Sequence, residues 1–274
     1  MFDWNELYKI RQTHDCVSIK NYLDKFNKLD LSSEPIEDLL DRDICIQKEW
    51  IKGKHIWSCN FDYKATGFTL YQFPLWWAYK VRDIYSNKDI VNKKFNTDKQ
   101  FITLIWTETL VKKNWYNFIN NYLDNAYYNF NFLNINNLKE THHWEQLPQE
   151  YFDSVWEFGI ESGSKLNNTC YQCITEKTFR PLFFGKPFLV FGSPGMYNKL
   201  KTFGITLNPF INYTFDKNVK NRWDLFCLEV KKLVNDDNHK QHFLHAKKNQ
   251  LELLQVLEKY NTDYNKYKMG ICNV

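Results

Sequence analysis

The segment from Ile160 to Gly195 concentrates residue types that handle phosphates and sugars. It reads Ile160-Glu161-Ser162, a polar loop to Tyr171, Ile174-Thr175-Glu176-Lys177-Thr178-Phe179-Arg180, and then Gly185-Lys186-Pro187-Phe188-Leu189-Val190-Phe191-Gly192-Ser193-Pro194-Gly195. The order is that of a strand, a loop, a helix, a tight turn, a second strand and a second turn. Thr175 suits an N-cap: its hydroxyl accepts from a first-turn amide and leaves the positive end of the helix facing outward, where an anion fits. Lys177 and Arg180 are three residues apart and therefore neighbours on one helical face, while the Glu176 carboxylate beside them can accept from vicinal sugar hydroxyls. Cations for a pyrophosphate and an acid for a ribose suit a nucleoside diphosphate, each charge-assisted contact contributing about 1.5–3 kcal/mol. A Glu-Lys pair opening an amphipathic helix equally suits a solvated first turn. Pro181 removes the amide that would bond the Lys177 carbonyl, which predicts a bend or a 3₁₀ turn near the cations.

Other combinations carry less. Cys170-Tyr171-Gln172-Cys173 has the spacing of zinc and redox sites, but neither a second such pair nor a His pair accompanies it, so no metal is expected. Asp41-Arg42-Asp43 has the form of a metal-holding D-x-D within a polar helical stretch, and reads as a solvated face. His239, His242 and His245 share a helix side without an acid or Cys cluster and read as surface or interdomain packing. Phe73, Trp76, Trp77 and Tyr79 suit a core before they suit sugar or base stacking. The chain lacks G-x-G-x-x-G, Walker A and G-x-S-x-G patterns, which removes support from dehydrogenase, P-loop and hydrolase readings.

The scaffold for these groups has 274 residues, 43% hydrophobic and 18% aromatic, with only 9 Gly and 7 Pro, enough for one large domain or two modest ones without disulfide or metal staples. The 36 Lys+Arg against 32 Asp+Glu give +4, which favours anionic ligands but falls short of a dedicated nucleic-acid binder. Seven scattered Cys read as reduced thiols, and no signal-like apolar stretch follows Met1, so a cytoplasmic setting is expected. The most apolar stretch, Pro181 to Phe191, is broken by Gly185, Lys186 and Pro187, well short of the roughly 20 residues of a membrane helix, so no membrane insertion is expected.

Spaced apolar residues such as Trp4, Leu7 and Ile10 predict short helices through the first fifty residues, with Pro35 starting one of them. His55 to Cys59 and Phe68 to Trp77 read as strand-like or buried runs of a first subdomain. Beyond the polar stretch Ser86 to Lys99 the pattern alternates apolar strand and amphipathic helix. Strands are expected at Phe101–Trp106, Phe130–Ile135, Trp156–Ile160, Pro187–Phe191 and Ile205–Leu207. Helices are expected at Lys113–Leu123, Gln149–Val155, Thr175–Phe184, Met196–Phe203, Arg222–Val234 and His239–Tyr260. The fold class is therefore α/β with a parallel sheet whose ligand cleft lies at the carboxyl ends of the strands. The expected division is an N-terminal subdomain over 1–98, a nucleotide-binding Rossmann-like domain over 99–260 and a tail over 261–274.

Ile174-Thr175-Glu176-Lys177 after an acidic strand end, followed by Phe191-Gly192-Ser193-Pro194, resembles the donor-binding half of the α-1,3-fucosyltransferase family, which includes short proteins of phages and large viruses. Upstream, Phe61-Asp62-Tyr63, Gly67-Phe68 and Phe73-Pro74-Leu75-Trp76-Trp77 are similar to that family's aromatic-Asp-Tyr, Gly-Phe and Pro-Leu-aromatic stretches. Phe101 to Thr107 and then Lys113-Asn114-Trp115-Tyr116 resemble its strand, loop and cation opening the second domain. The resemblance covers roughly residues 55 to 215.

The resemblance implies a GT-B fold, with helices on both faces of a C-terminal Rossmann-like sheet and a reduced N-terminal subdomain. It implies inverting transfer from a GDP-fucose-like donor to a hydroxyl acceptor, on a glycan or a hydroxylated base of viral DNA, with no essential metal and no cofactor beyond the donor. By this likeness Lys177 binds the pyrophosphate, Glu176 the ribose, and Glu161 lies near the donor sugar. Lys113 stands where the family has a phosphate-binding Arg, and Ser162 where it has Asn. Thr175 and Arg180 complete the expected donor-binding set. The family's general base is a Glu shortly before the aromatic-Asp-Tyr stretch; the nearest acids here are Glu49 and Asp62. The other reading of the chain is a noncatalytic protein binding nucleic acid or a viral partner through aromatic and basic surface.

Overall fold

The structure is a computed structural model that describes residues 49–52, 55–58, 69–86, 93–139, 147–161, 174–217 and 220–265. The chain divides into two units, Met1–Trp77 with Cys170–Cys173 and Lys259–Val274, and Ala78–Thr169 with Ile174–Glu258. In the first, β1 (Glu49–Lys52) pairs antiparallel with β2 (His55–Ser58), which pairs parallel with β3 (Thr69–Gln72).

The second unit is built on a five-stranded sheet. Its strands are β4 (Lys99–Ile105), β5 (Ala126–Phe130), β6 (Ile135–Asn136), β7 (Ser154–Ile160) and β8 (Phe188–Phe191), in the order β6-β5-β4-β7-β8. All neighbours run parallel except the short edge pair β5 and β6. Seven consecutive buried residues in β7 fit a central strand covered on both faces, as parallel sheets require. Side-chain alternation divides the covering. Trp156 and Phe158 face Trp115 of α2 (Leu110–Ile119) and His242 of α6 (His239–Lys259), whereas Glu157 faces Arg180 of α3 (Glu176–Phe184). Phe191 joins the Phe158 side through Phe226 of α5 (Arg222–Val234), and Trp115 donates to the Thr103 hydroxyl at 2.9 Å. Helices therefore lie on both faces.

Four expected elements differ. The Phe68 to Trp77 run is a strand only to Gln72; after Pro74 the chain turns into helix α1 (Trp76–Tyr85), whose buried side carries Ala78, Tyr79, Val81 and Tyr85. The strand expected from Phe130 stops there, because Asn134 adopts left-handed φ 57° and reverses the chain into β6. In Gln149–Val155 only Gln149–Tyr151 is helical, as one 3₁₀ turn; Phe152 and Asp153 turn the chain, and Ser154 and Val155 already belong to β7. Ile205–Leu207 joins no sheet: the Thr206 amide and hydroxyl donate to Glu252 at 2.7 and 2.6 Å, and its carbonyl accepts from Asn249 at 2.6 Å, so side chains of α6 satisfy this backbone.

The connection from β8 into α4 (Met196–Thr202) is close-packed: a Cβ on Gly192 would lie 2.3 Å from Met196 Sδ, so a larger residue there would have to displace the flexible Met196 side chain.

Candidate functional site

In the order β5-β4-β7-β8 the chain first moves from β4 to one side and then returns to the other, so the direction of winding reverses between β4 and β7. In doubly wound sheets, ligands bind outside the carboxyl ends of the strands at such a reversal. The segments emerging there are Trp106–Thr109 after β4 and Glu161 after β7, and the chain re-enters at Thr175, the N-cap of α3.

Thr175 is held in an extended conformation, and its hydroxyl accepts from the Lys177 amide at 3.4 Å. Behind it stands Glu161, 1% exposed, its amide tied to the Phe191 carbonyl at 2.9 Å. One Glu161 oxygen accepts from the Thr175 amide at 2.9 Å and the Thr178 hydroxyl at 2.7 Å; the other accepts from the Thr175 hydroxyl at 2.5 Å. Glu161 thus locks strand end to helix cap. Three donors of its own chain occupy its carboxylate, which gives Glu161 a positioning role at the cap.

Of the nine residues of α3 only Lys177 escapes full burial, and its ammonium lies 2.5 Å from Glu176 Oε1. Both side chains are 12% exposed, so this pair is the least buried part of the helix. The expected Lys177–Arg180 cation face does not form. Arg180 is turned into the sheet, where its guanidinium pairs with Glu157, each side chain 3% exposed. Burial opposes that charge, but Glu157 more than offsets it and keeps the guanidinium protonated well above its ordinary range. Arg180 is therefore a buried counter-ion of the core and not a ligand for a donor phosphate. The helix continues through Pro181 to a left-handed Gly185 at φ 67°.

On the β4 side, Thr109 caps α2 by accepting from the Lys112 amide at 3.3 Å. Lys112, 3% exposed, reaches back to the Thr107 hydroxyl at 2.5 Å. Lys113 projects outward instead, 50% exposed and 2.5 Å from Glu108. Thr107, Thr109 and Lys112 were missed by sequence reasoning; the signal was two lysines just inside a helix opened by Thr after an apolar strand.

The remaining predicted residues belong elsewhere. Glu49 opens β1, opposite Ser58, and Asp62 lies outside the described residues, as do Ser162, the Cys170–Cys173 pair and Asp41–Asp43. His242 is buried against Trp156, 3.0 Å from Asp236 and 3.1 Å from Asn208, so the acid that the sequence spacing did not reveal comes from the turn before the helix. Among the described residues no group of three or more His, Cys, Asp or Glu side chains is placed to hold a metal. No described helix is long and apolar enough to cross a membrane.

Two further charges brace the sheet ends. Asp216 accepts from the Tyr197 and Asn198 amides at 3.1 and 3.3 Å at the start of α4, and burial lifts its carboxyl to about 6. Arg222, fully buried, donates to the Gly192 carbonyl at 2.6 Å and lies 4.1 Å from the Phe191 ring centroid; burial lowers it to about 10. Comparison with known proteins returned no match among family models, curated proteins or solved structures.

Proposed function

We propose that the chain is an inverting glycosyltransferase that binds a nucleoside-diphosphate sugar at the carboxyl edge of the five-stranded sheet, between the ends of β4 and β7. The observation that carries this reading is the winding reversal at β4 and β7, which sets the Thr107–Lys113 turn and the capped Thr175–Lys177 turn on one sheet edge. The resemblance of the Thr175-Glu176-Lys177 and Phe191–Pro194 stretches to α-1,3-fucosyltransferases supports the same assignment. In this reading Lys177 neutralises the diphosphate, Glu176 accepts from the ribose hydroxyls, and Lys113 swings from Glu108 to add a second cation. Glu161 keeps the cap in place without touching donor.

The chemistry asked of the protein is modest. An acceptor hydroxyl attacks the anomeric carbon from the face opposite the leaving diphosphate, a base removes its proton, and cations absorb the charge developing on the departing phosphate. Lys177 and Lys113 serve the last need. The base belongs to the acceptor side, where Glu49 and Asp62 are the candidates; the acceptor is a glycan or a hydroxylated DNA base.

The test is release of nucleoside diphosphate from a panel of nucleotide sugars with and without acceptor hydroxyls. The reading expects one base and one sugar to be preferred and Lys177→Ala to lower turnover at least about tenfold. No release from any donor, or release untouched by Lys177→Ala, would count against it.

A further inference from the structure

At the opposite, amino edge of the same sheet lies a groove of about 600 Å³ lined by Lys93, Lys94, Phe95, Phe184, Gly185, Lys240, Phe243, Leu244 and Lys247. It contains four lysines and no carboxylate. Lys93 contacts Gln149 at 2.9 Å and Lys247 contacts Gln250 at 2.5 Å, both neutral partners. Among the described residues Lys94 and Lys240 make no hydrogen bond or ion pair. The Lys186 amine, buried behind the groove, lies 4.8 Å from the Phe95 ring centroid, but burial lowers it to about 7, so the four lining lysines set the sign of the groove. A pocket of this sign selects an anion.

The helix wall shows what else the anion must bring. On α6, Lys240, Phe243, Leu244 and Lys247 share one face, and Leu251 and Leu254 continue it, about three and four turns beyond Lys240. Leu244, Leu251 and Leu254 are 58%, 54% and 42% exposed, whereas the inward Leu253 is 0% exposed. The cationic groove thus opens onto an exposed aliphatic track. Single-stranded nucleic acid would match the lysines but needs free ring faces to stack its bases. Phe95 already packs on two other rings, Phe152 at 5.6 Å and 28° and Phe243 at 5.5 Å and 30°. A second copy packed through the same face would set these lysines against their own equivalents. Cations beside exposed leucines on one helix face match the boundary of an anionic bilayer.

We propose that this face docks on an anionic phospholipid surface, with a lipid phosphate held by Lys93, Lys94, Lys240 and Lys247 and with Leu244, Leu251 and Leu254 entering the interfacial layer. This is peripheral attachment and does not rest on the glycosyltransferase reading. The test is co-sedimentation of the full chain with vesicles of phosphatidylcholine alone or mixed with phosphatidylglycerol. Lys94→Glu/Lys240→Glu and Leu244→Ser/Leu251→Ser are compared with the unaltered chain, and thermal unfolding of each checks the fold. These side chains are exposed, and Lys94→Ala/Lys240→Ala serves as a milder pair. The expected result is binding to the mixed vesicles at least about tenfold tighter than to phosphatidylcholine, weakened by salt. The charge reversal should lower that binding about tenfold or more, and the serine pair should weaken it at high and low salt alike. Equal binding to both vesicle types, no binding to either, or full retention by both variants would overturn the proposal. So would capture of single-stranded oligonucleotide, in place of vesicles, through the same lysines.

Discussion

The starts of α3 and α4 both open at the carboxyl edge of the sheet, and each meets a buried carboxylate of the chain itself. The two acids work differently. Asp216 accepts directly from the Tyr197 and Asn198 amides, so the helical end of α4 is closed by its own counter-charge. Glu161 instead accepts from the Thr175 amide and the hydroxyls of Thr175 and Thr178, so it holds the cap. One end is sealed; the other is braced, with Glu176 and Lys177 left at its tip. The contrast is that the internal carboxylate is met by the N-cap residue at α3 and by first-turn amides at α4.

The largest effect expected from breaking this contrast is on stability at Glu161. Glu161→Ala strands a buried amide and two buried hydroxyls, each bond to a charged acceptor being worth about 1.5–3 kcal/mol, and should cost about 3–5 kcal/mol by urea unfolding. Next comes the pH response at Asp216. Its carboxyl sits at about 6 in the fold against 3.8 ordinarily, so the folded state holds the proton more tightly. Stability from this group is present at pH 4 and lost as pH rises to 6, by about 3 kcal/mol at most. Asp216→Asn should therefore gain on the unaltered chain across that window, measured as the difference in urea midpoints. A smaller change is expected at the cap: Thr175→Ala should cost about 1–2 kcal/mol and Thr175→Ser under about 0.5 kcal/mol, since only the first removes the hydroxyl that links Glu161 to Lys177.

Much of this edge was legible in the sequence. Apolar runs bounded by Thr, Gly and Pro place β4, β7, β8 and the capped α3 within a residue or two, because local chemistry ends those elements. Arg180 was not legible as a core ion, since its partner Glu157 lies 23 residues earlier; the clue was a lone acid inside the apolar run Val155–Ile160. The helix Trp76–Tyr85 was hidden by aromatic residues that suit strands as well, and the Ile205–Leu207 backbone by its dependence on Glu252 and Asn249 some forty residues on. The candidate site divides in the same way. Thr175, Glu176 and Lys177 follow from capping rules, whereas the bracing role of Glu161 follows only from the tertiary arrangement of strand and helix.

In the function proposed above, the braced start of α3 grips a diphosphate. Differential scanning with a panel of nucleoside diphosphates, inorganic pyrophosphate and an unrelated polyanion measures it most directly. A rise in melting temperature is expected that depends on the base, is reduced by Lys113→Ala and vanishes with Lys177→Ala, each variant being compared with its own melting temperature without ligand. Equal rises with every polyanion, or a base-selective rise that survives Lys177→Ala, would contradict it.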